Sequence, residues 1–491
     1  MKKLSLLAVL LGFFLPVKSQ HWQCGTGDAP QNVLDFISQL DFSDGRLQNR
    51  TMLNLPTTIH ILQNNAGQGA FSSVQAFDLI CHLNDQTADA GLFFYLPGPV
   101  NFIPNDTFLT MNNIDLVFDL MVRHNVLGTV NIYFTNLSQL GFCGLATFPG
   151  SGPGNPIEEG AIIMSFACST PDRNEIAHEV GHFFGLPHTF DGTVNAPASL
   201  QAERVTRLLN ETGGRLPANC QTAGDRFCDT PADFIGMRWV CPTALSATDW
   251  NGDAFRPDSS MFMSYSQSVC MSRFSEQQIT AMRARLADSS RAYLLANPMP
   301  PFGVISQGPQ AISPDSNGSY PANSIPFRWR AVPGATSYQV RVYFMNVLVF
   351  DTTVTDTAFT STNRAIRANR VHQWEVRAYN GANLCAPFSP RSRFSTTLNV
   401  SVWEQAQQST SLRLSPNFVK PAEKLRLELD DYTGPMLLVW YDIGGKKVQQ
   451  TWLDVFDGHA ACDAPFLEAG TYIVEAHFSH RSAFQKVFVR P

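Results

Sequence analysis

The chain has 491 residues, of which 44% are apolar and 15% charged, with a formal net charge of −6. The charged share lies below the roughly 25% usual for soluble domains while the apolar share is ordinary, which argues against a disordered polar chain. No Lys/Arg block occurs, so the basic face needed to bind nucleic acid or an anionic membrane surface is missing. Length alone leaves room for about three domains.

Lys2 and Lys3 precede an apolar run from Leu4 to Val17, and Val17 and Ser19 are small enough for a cleavage site that leaves Gln20 first. Residues 1–19 therefore predict a signal peptide, with a buried N-terminal helix as the alternative. No later segment approaches the roughly 18–20 apolar residues of a membrane helix, so a secreted or cell-surface protein is expected. Residues 20–52 lack strong periodicity and predict a pro-segment. Thr57 to Leu62 predicts the first strong strand, and Phe71 to Ala90 a helix. Val130–Phe134 and Ala161–Phe166 predict buried strands. Asn174 to Phe184 predicts a helix, and Ser275 to Leu286 another with Ser275 as its N-cap. Gln201 to Asn210 reads as an additional helix. Mixed helices and strands over 53–297 indicate an α/β or α+β domain. Pro298-Met299-Pro300-Pro301 is a linker. Beyond it, short alternating strands predict two small all-β sandwiches, 303–397 and 411–491, with Ser392 to Thr410 as a polar linker.

The ten cysteines include no CxxC pair, so zinc-finger spacing is absent. Export permits disulfides. Cys220, Cys228, Cys241 and Cys270 would staple a loop-rich stretch, with connectivity open.

The stretch His178-Glu179-Val180-Gly181-His182-Phe183-Phe184-Gly185-Leu186-Pro187-His188 carries the chemistry. Histidines at i and i+4 share one helix face and can take adjacent corners of a zinc tetrahedron. Glu179 can reach a water beside the metal. Gly185 can turn left-handed, end the helix and let His188 supply a third ligand. Three protein ligands leave one position open, the arrangement of a catalytic zinc. Near the N-terminus, Cys24-Gly25-Thr26 offers a thiolate that could fill that open position. An ordinary disulfide, for instance with Cys81, is the alternative for Cys24.

This motif resembles the long zinc motif of the metzincin metallopeptidases. The resemblance implies a methionine turn downstream, and Ser260-Met261-Phe262-Met263-Ser264-Tyr265 supplies one. Met263 would then floor the metal site, plain core packing being the alternative, and Tyr265 would aim its hydroxyl at the oxyanion. The surroundings are most similar to the pappalysin family: His188-Thr189-Phe190, the run Gly224-Asp225-Arg226-Phe227-Cys228-Asp229-Thr230-Pro231-Ala232-Asp233, Ser268 to Ser275, and Gln278. The stretch from Asp191 to Asn219 is longer than that family implies. The resemblance implies calcium bound by Asp225 and Thr230, with the Cys228 carbonyl between them, an ion-free Asx-turn loop being the alternative. It also implies latency through Cys24.

Residues 303–397 resemble a fibronectin type III domain, through Phe327 to Val340 and Trp374-Glu375-Val376-Arg377-Ala378. Residues 411–491 resemble the C-terminal sorting domain of type IX secretion, through Leu414-Ser415-Pro416-Asn417, Tyr441 to Val448, Leu467 to Val474 and Lys486 to Val489. A second structural sandwich is the alternative there. Together these resemblances imply a secreted zinc endopeptidase made as a latent zymogen. It would act on protein or peptide substrates with Glu179 as general base and leave the cell by the type IX machinery. An inactive surface-binding or adhesion protein on a metzincin scaffold is the rival, as is a zinc hydrolase of non-peptide amides.

Overall fold

A computed structural model of the chain describes residues 23–43, 50–150, 154–170, 172–192, 200–207, 210, 213–234, 247–316, 318–398, 412–429, 432–478 and 481–490. The signal peptide expected at 1–19 and Cys241 lie outside the described residues. Two compact units emerge. The first takes the chain up to 308 together with 331–339 and 377–388; the second takes 309–330, 340–376 and 389–491.

The first unit opens with β1 (Gln23–Cys24) and α1 (Gln31–Ser38), followed by β2 (Leu53–Gln63), α2 (Ser73–Gln86), β3 (Leu92–Tyr95) and β4 (Asn101–Pro104). Next come α3 (Asp106–Leu109), α4 (Asp115–His124), β5 (Val130–Thr135) and β6 (Phe142–Ala146). The short α5 (Pro156–Glu159) leads to β7 (Ile162–Ser165) and α6 (Glu175–Phe183). The hairpin strands β8 (Ala247–Thr248) and β9 (Ala254–Phe255), then α7 (Glu276–Ala287), complete it.

The main sheet runs in the order β1-β6-β7-β5-β2-β3, with β4 also paired to β2. Strands β2, β3, β4, β5 and β7 run in one direction; β6 is antiparallel to β7, and β1, parallel to β6, runs with it against the rest. Alternation along the strands sorts the side chains to two faces. Ile59, Ile61, Ile132, Phe134, Ile162 and Met164 join Leu79 and Leu83 of α2 and Ile176 and Val180 of α6 in one core. Leu62, Tyr133, Leu145 and Ile163 meet Val117, Leu120 and Met121 of α4 on the other face. A capping box starts α2, with Ser72 and Gln75 satisfying each other's backbone N–H groups; Ser275 and Gln278 do the same for α7.

Three local expectations need correction. The 20–52 segment is not without regular structure: Val33 and Ile37, one helical turn apart on α1, are buried in the same core as α6. The described part of 201–210 is turns and bends rather than helix. Side chains take its backbone N–H groups there, Asn219 Oδ1 that of Arg204 and Asp249 Oδ2 that of Val205, in place of i−4 carbonyls. The expected linker from Ser392 begins as a strand, because Phe394 and Thr396 alternate into a core.

Two pairs of sheets follow along the chain. Strands β10 (Ala311–Ser313), β11 (Ser319–Pro321), β12 (Ile325–Trp329), β13 (Ser337–Phe344), β14 (Val347–Val354), β15 (Ala358–Ser361), β16 (Val371–Tyr379) and β17 (Ser392–Thr397) come first. They form sheets ordered β10-β12-β15 and β11-β17-β16-β13-β14. Phe327 and Trp374 pack edge to face across them with centroids 5.1 Å apart. Strands β18 (Leu412–Ser415), β19 (Phe418–Val419), β20 (Lys424–Leu429), β21 (Gly434–Asp442), β22 (Lys447–Val455), β23 (His459–Asp463), β24 (Gly470–Phe478) and β25 (Arg481–Val489) follow. Their sheets are β18-β20-β23 and β19-β25-β24-β21-β22, closed around Leu414, Leu427, Trp440 and Val474.

Candidate active site

Helix α6 presents His178, Glu179 and His182 from consecutive turns, all buried. Gly185 stands at φ +88° just beyond the helix, a conformation only glycine adopts cheaply, and the chain doubles back to place His188. His182 Nε2 lies 3.1 Å from both His178 Nε2 and His188 Nε2. The other ring nitrogens decide the tautomers. His178 Nδ1 donates to the Phe262 carbonyl at 2.6 Å and His182 Nδ1 to the Leu186 carbonyl at 2.8 Å. A carbonyl can only accept, so both Nδ1 atoms carry hydrogens and the two Nε2 lone pairs face each other. Burial holds the rings neutral, lowering His178 to about 4 and His182 further below the usual range. Converging lone pairs repel unless a cation lies among them, and neutral imidazoles held by carbonyls are the donors zinc prefers. Cys24 Sγ completes the set, and the four ligand atoms lie within 4.8 Å of one another.

Glu179 points from the same helix toward β6. A Cβ on Gly144 would come within 2.8 Å of its side chain, so glycine at 144 makes room for the carboxylate. Burial raises Glu179 to about 8. Met263 is fully buried under α6, where a Cβ on Gly181 would come within 2.3 Å of its sulfur. Tyr265 stacks edge-on against His188 at 4.8 Å and Phe190 at 4.6 Å.

Residues 129–287 match the M43 peptidase family described as pregnancy-associated plasma protein-A. An extracellular metalloprotease of Arthroderma gypseum is 28% identical over 240 residues, covering 47% of this chain and 71% of that protein. An extracellular metalloprotease of Arthroderma benhamiae is 27% identical over 287 residues, covering 55% of this chain and 86% of that protein. The chain carries a zinc metallopeptidase domain. A solved structure of a Tannerella forsythia promirolysin mutant aligns with 56% of this chain and 97% of its own at 15% identity and a TM-score of 0.36. Among the described residues no helix is long and apolar enough to cross a membrane.

The N-terminal strand of the first unit reaches into this site. Strand β1 pairs in parallel with β6, and Cys24 is a free thiol. The alternative pairing of Cys24 with Cys81 does not form, because Cys81 is bonded to Cys385. Cys24 Sγ lies 3.6 Å from Glu179 Oε2, and the Thr26 hydroxyl donates to that same oxygen at 3.4 Å. Tyr265 donates its hydroxyl to the Cys24 carbonyl at 3.3 Å. Two further disulfides, Cys143–Cys168 and Cys220–Cys228, are closed, and Cys270 is also disulfide-bonded.

Asp233 ends the run from Gly224, and its role has no local signature in the sequence. Its Oδ2 accepts from the Thr189 hydroxyl at 2.6 Å and the Ser264 hydroxyl at 2.8 Å. One buried carboxylate thereby ties the residue after His188 to the residue after Met263. The backbone carbonyls of Phe262 and Leu186 were invisible in sequence because every residue carries one. Asp225 and Thr230 do meet, Thr230 Oγ1 donating to Asp225 Oδ1 at 3.0 Å. The calcium expected between them does not fit: the Cys228 and Thr230 carbonyls are both occupied by the Arg207 guanidinium.

Proposed function

We propose that the protein is an exported zinc endopeptidase held latent by its own N-terminal segment. The observation that carries this reading is the convergence of three imidazoles, Glu179 and Cys24 on one point. His178, His182 and His188 would hold the metal. When bound, zinc supplies a Lewis acid that polarises the scissile carbonyl and acidifies a water. Glu179 takes the attacking water's proton and returns it to the leaving amine, with burial keeping its affinity for that proton high. Tyr265 donates to the carbonyl oxygen as negative charge builds there. Met263 packs the floor that keeps α6 in place.

Latency follows from the same contacts. In the described state Cys24, Thr26 and the Cys24 carbonyl engage the metal position, Glu179 and Tyr265 together. Removal of residues 20–52 frees them and uncovers the β6 edge. An extended peptide can then add beside β6 through backbone hydrogen bonds. In this reading residues 1–19 direct export and residues 53–297 form the catalytic region. Residues 303–397 are a fibronectin type III-like spacer or docking module, and 411–491 hand the protein to the type IX machinery. Deletion of 411–491 traps the protein in the periplasm, and unimpaired secretion would refute that role.

The deciding experiment uses zinc-loaded protein whose N-terminal segment has been removed by limited proteolysis, incubated with casein beside the Glu179→Ala variant. Cleavage lost both in the variant and on chelation supports the mechanism. Equal cleavage by the variant would overturn Glu179 as the base. One bound zinc with no cleavage of casein or of a peptide library would favour a binding protein.

A further inference from the structure

The loop after Asp225 is the place where the family resemblance implies a divalent cation, and a side chain already stands there. Arg207 Nε donates to the Cys228 carbonyl at 3.2 Å. Its Nη2 donates to the Thr230 carbonyl at 2.7 Å and to Glu203 Oε1 at 3.0 Å. Its Nη1 donates to the Arg204 carbonyl at 2.9 Å. One planar cation thus meets three backbone carbonyls and a carboxylate, the oxygen chemistry that calcium prefers. Asp225 turns its Oδ1 to the Phe227 N–H and the Thr230 hydroxyl, each at 3.0 Å.

The segment that delivers Arg207 belongs to the stretch between Asp191 and Asn219. It is pinned from several sides. Arg204 Nε donates to the Pro217 carbonyl at 2.6 Å, and Asn219 Nδ2 donates to the Ala202 carbonyl at 2.8 Å. The longer connection therefore acts as a holder that brings a guanidinium to the loop.

Charge balance agrees with a monovalent occupant. Glu203 and Asp225 are both buried, and calcium would bring two positive charges where Arg207 brings one. Burial, and then the neighbouring Asp225, hold the Glu203 carboxyl well above its usual range. A proton retained on one of these carboxyls makes up the difference. Glu203 Oε2, which is buried and has no hydrogen-bond partner among the described residues, is the atom that can carry it.

We propose that Arg207 is a built-in replacement for a calcium ion, fixing the 225–230 loop of this peptidase domain without metal. The consequence reaches the active site. Asp229 caps α7 by accepting from the Ser275 hydroxyl and the Gln277 N–H, each at 2.8 Å, and the same loop leads into Asp233. A permanently placed guanidinium makes that arrangement independent of the surrounding calcium concentration.

The test uses the full-length, zinc-loaded protein, freed of other divalent ions on a chelating resin. Thermal unfolding is followed without and with millimolar calcium chloride, and bound calcium is measured by elemental analysis. The wild type is expected to hold no stoichiometric calcium and to unfold at the same temperature in both conditions. Arg207→Ala is expected to unfold several degrees lower without calcium and to recover when calcium is added, because ligand binding to the native state raises Tm. Should Arg207→Ala fail to accumulate, Arg207→Gln serves in the same comparison. One calcium per wild-type chain, or a calcium-dependent wild-type Tm, would overturn the proposal. So would variants whose Tm ignores calcium.

Discussion

Cys24 Sγ lies 3.6 Å from Glu179 Oε2, although the two residues are 155 positions apart. A strand of two residues, β1, thus brings a thiol to the carboxylate proposed as the general base. Burial and then the Glu179 charge raise the Cys24 thiol. A bound zinc inverts that balance, since the metal stabilises the thiolate.

Latency should therefore depend on two side chains. Cys24→Ala is expected to give full-length protein that cleaves casein before any N-terminal processing. Thr26→Val, which removes the second donor to Glu179, is expected to shorten the lag before activation while leaving the thiol in place. Activity assays paired with mass spectrometry of the intact chain read both. A Cys24→Ala protein that stays silent until it is cut would assign latency to the bulk of the segment.

Asp233 is a positioning residue in this arrangement. Asp233→Ala removes the shared acceptor of Thr189 and Ser264, and zinc affinity is expected to fall by about 10–100-fold, the usual cost of losing an outer-shell partner. Asp233→Asn keeps one acceptor oxygen and should recover part of the loss. Competition with a chromophoric chelator measures the affinity directly. Unchanged affinity in the alanine variant would leave Asp233 with a purely structural role.

His60 gives the fold a pH dependence. The ring is fully buried, Nε2 donates to Asn131 Oδ1 at 3.0 Å, and Nδ1 accepts from Asn101 Nδ2 at 3.0 Å. Protonating Nδ1 would set two donors against each other. Burial lowers the group from 6.5 to about 4. The unfolded chain then binds the proton first as pH falls, so stability is full above about 6.5 and declines toward 4. At about 1.4 kcal/mol per unit, the loss attributable to His60 is about 3 kcal/mol. Urea unfolding of wild type and His60→Gln across that range should show a smaller pH-dependent loss in the variant. Parallel curves would remove His60 as the cause.

The first compact unit reaches beyond residue 297, taking in 331–339 and 377–388. Cys81 on α2 is bonded to Cys385. Beside them Asp78 pairs with Arg377, Phe77 packs on Tyr379 at 5.1 Å, and the Leu96 N–H donates to the Gly381 carbonyl at 2.8 Å. Cys385→Ser is expected to cost about 2–4 kcal/mol, the usual worth of a native disulfide. A chain ending at 297 should lose more, since it forfeits the other contacts as well. Chemical denaturation under non-reducing conditions compares the three.

The residue spacing by itself brought His178 and His182 to one helix face with Glu179 beside them, because a helix repeats every 3.6 residues and fixes which side chains share a face within one turn. His178, Glu179, His182, Gly185 and His188 need no distant residue to define their order, and the capping boxes at Ser72 and Ser275 are equally local. The short apolar runs of β5 and β7 marked strands buried on both faces, as the strands of a covered parallel sheet are. Helix α1 escaped notice because eight residues offer barely two turns of pattern. Only the tertiary structure decided the rest. Backbone carbonyls such as Phe262 and Leu186 have no signature in a sequence. Asp233 takes its role from two hydroxyls on separate loops. Arg207 meets Cys228 and Thr230 across a connection whose path no local rule dictates. Cys24 could have paired with Cys81 or faced the histidines, and long-range packing chose, by giving Cys81 a partner at 385 and laying β1 along β6.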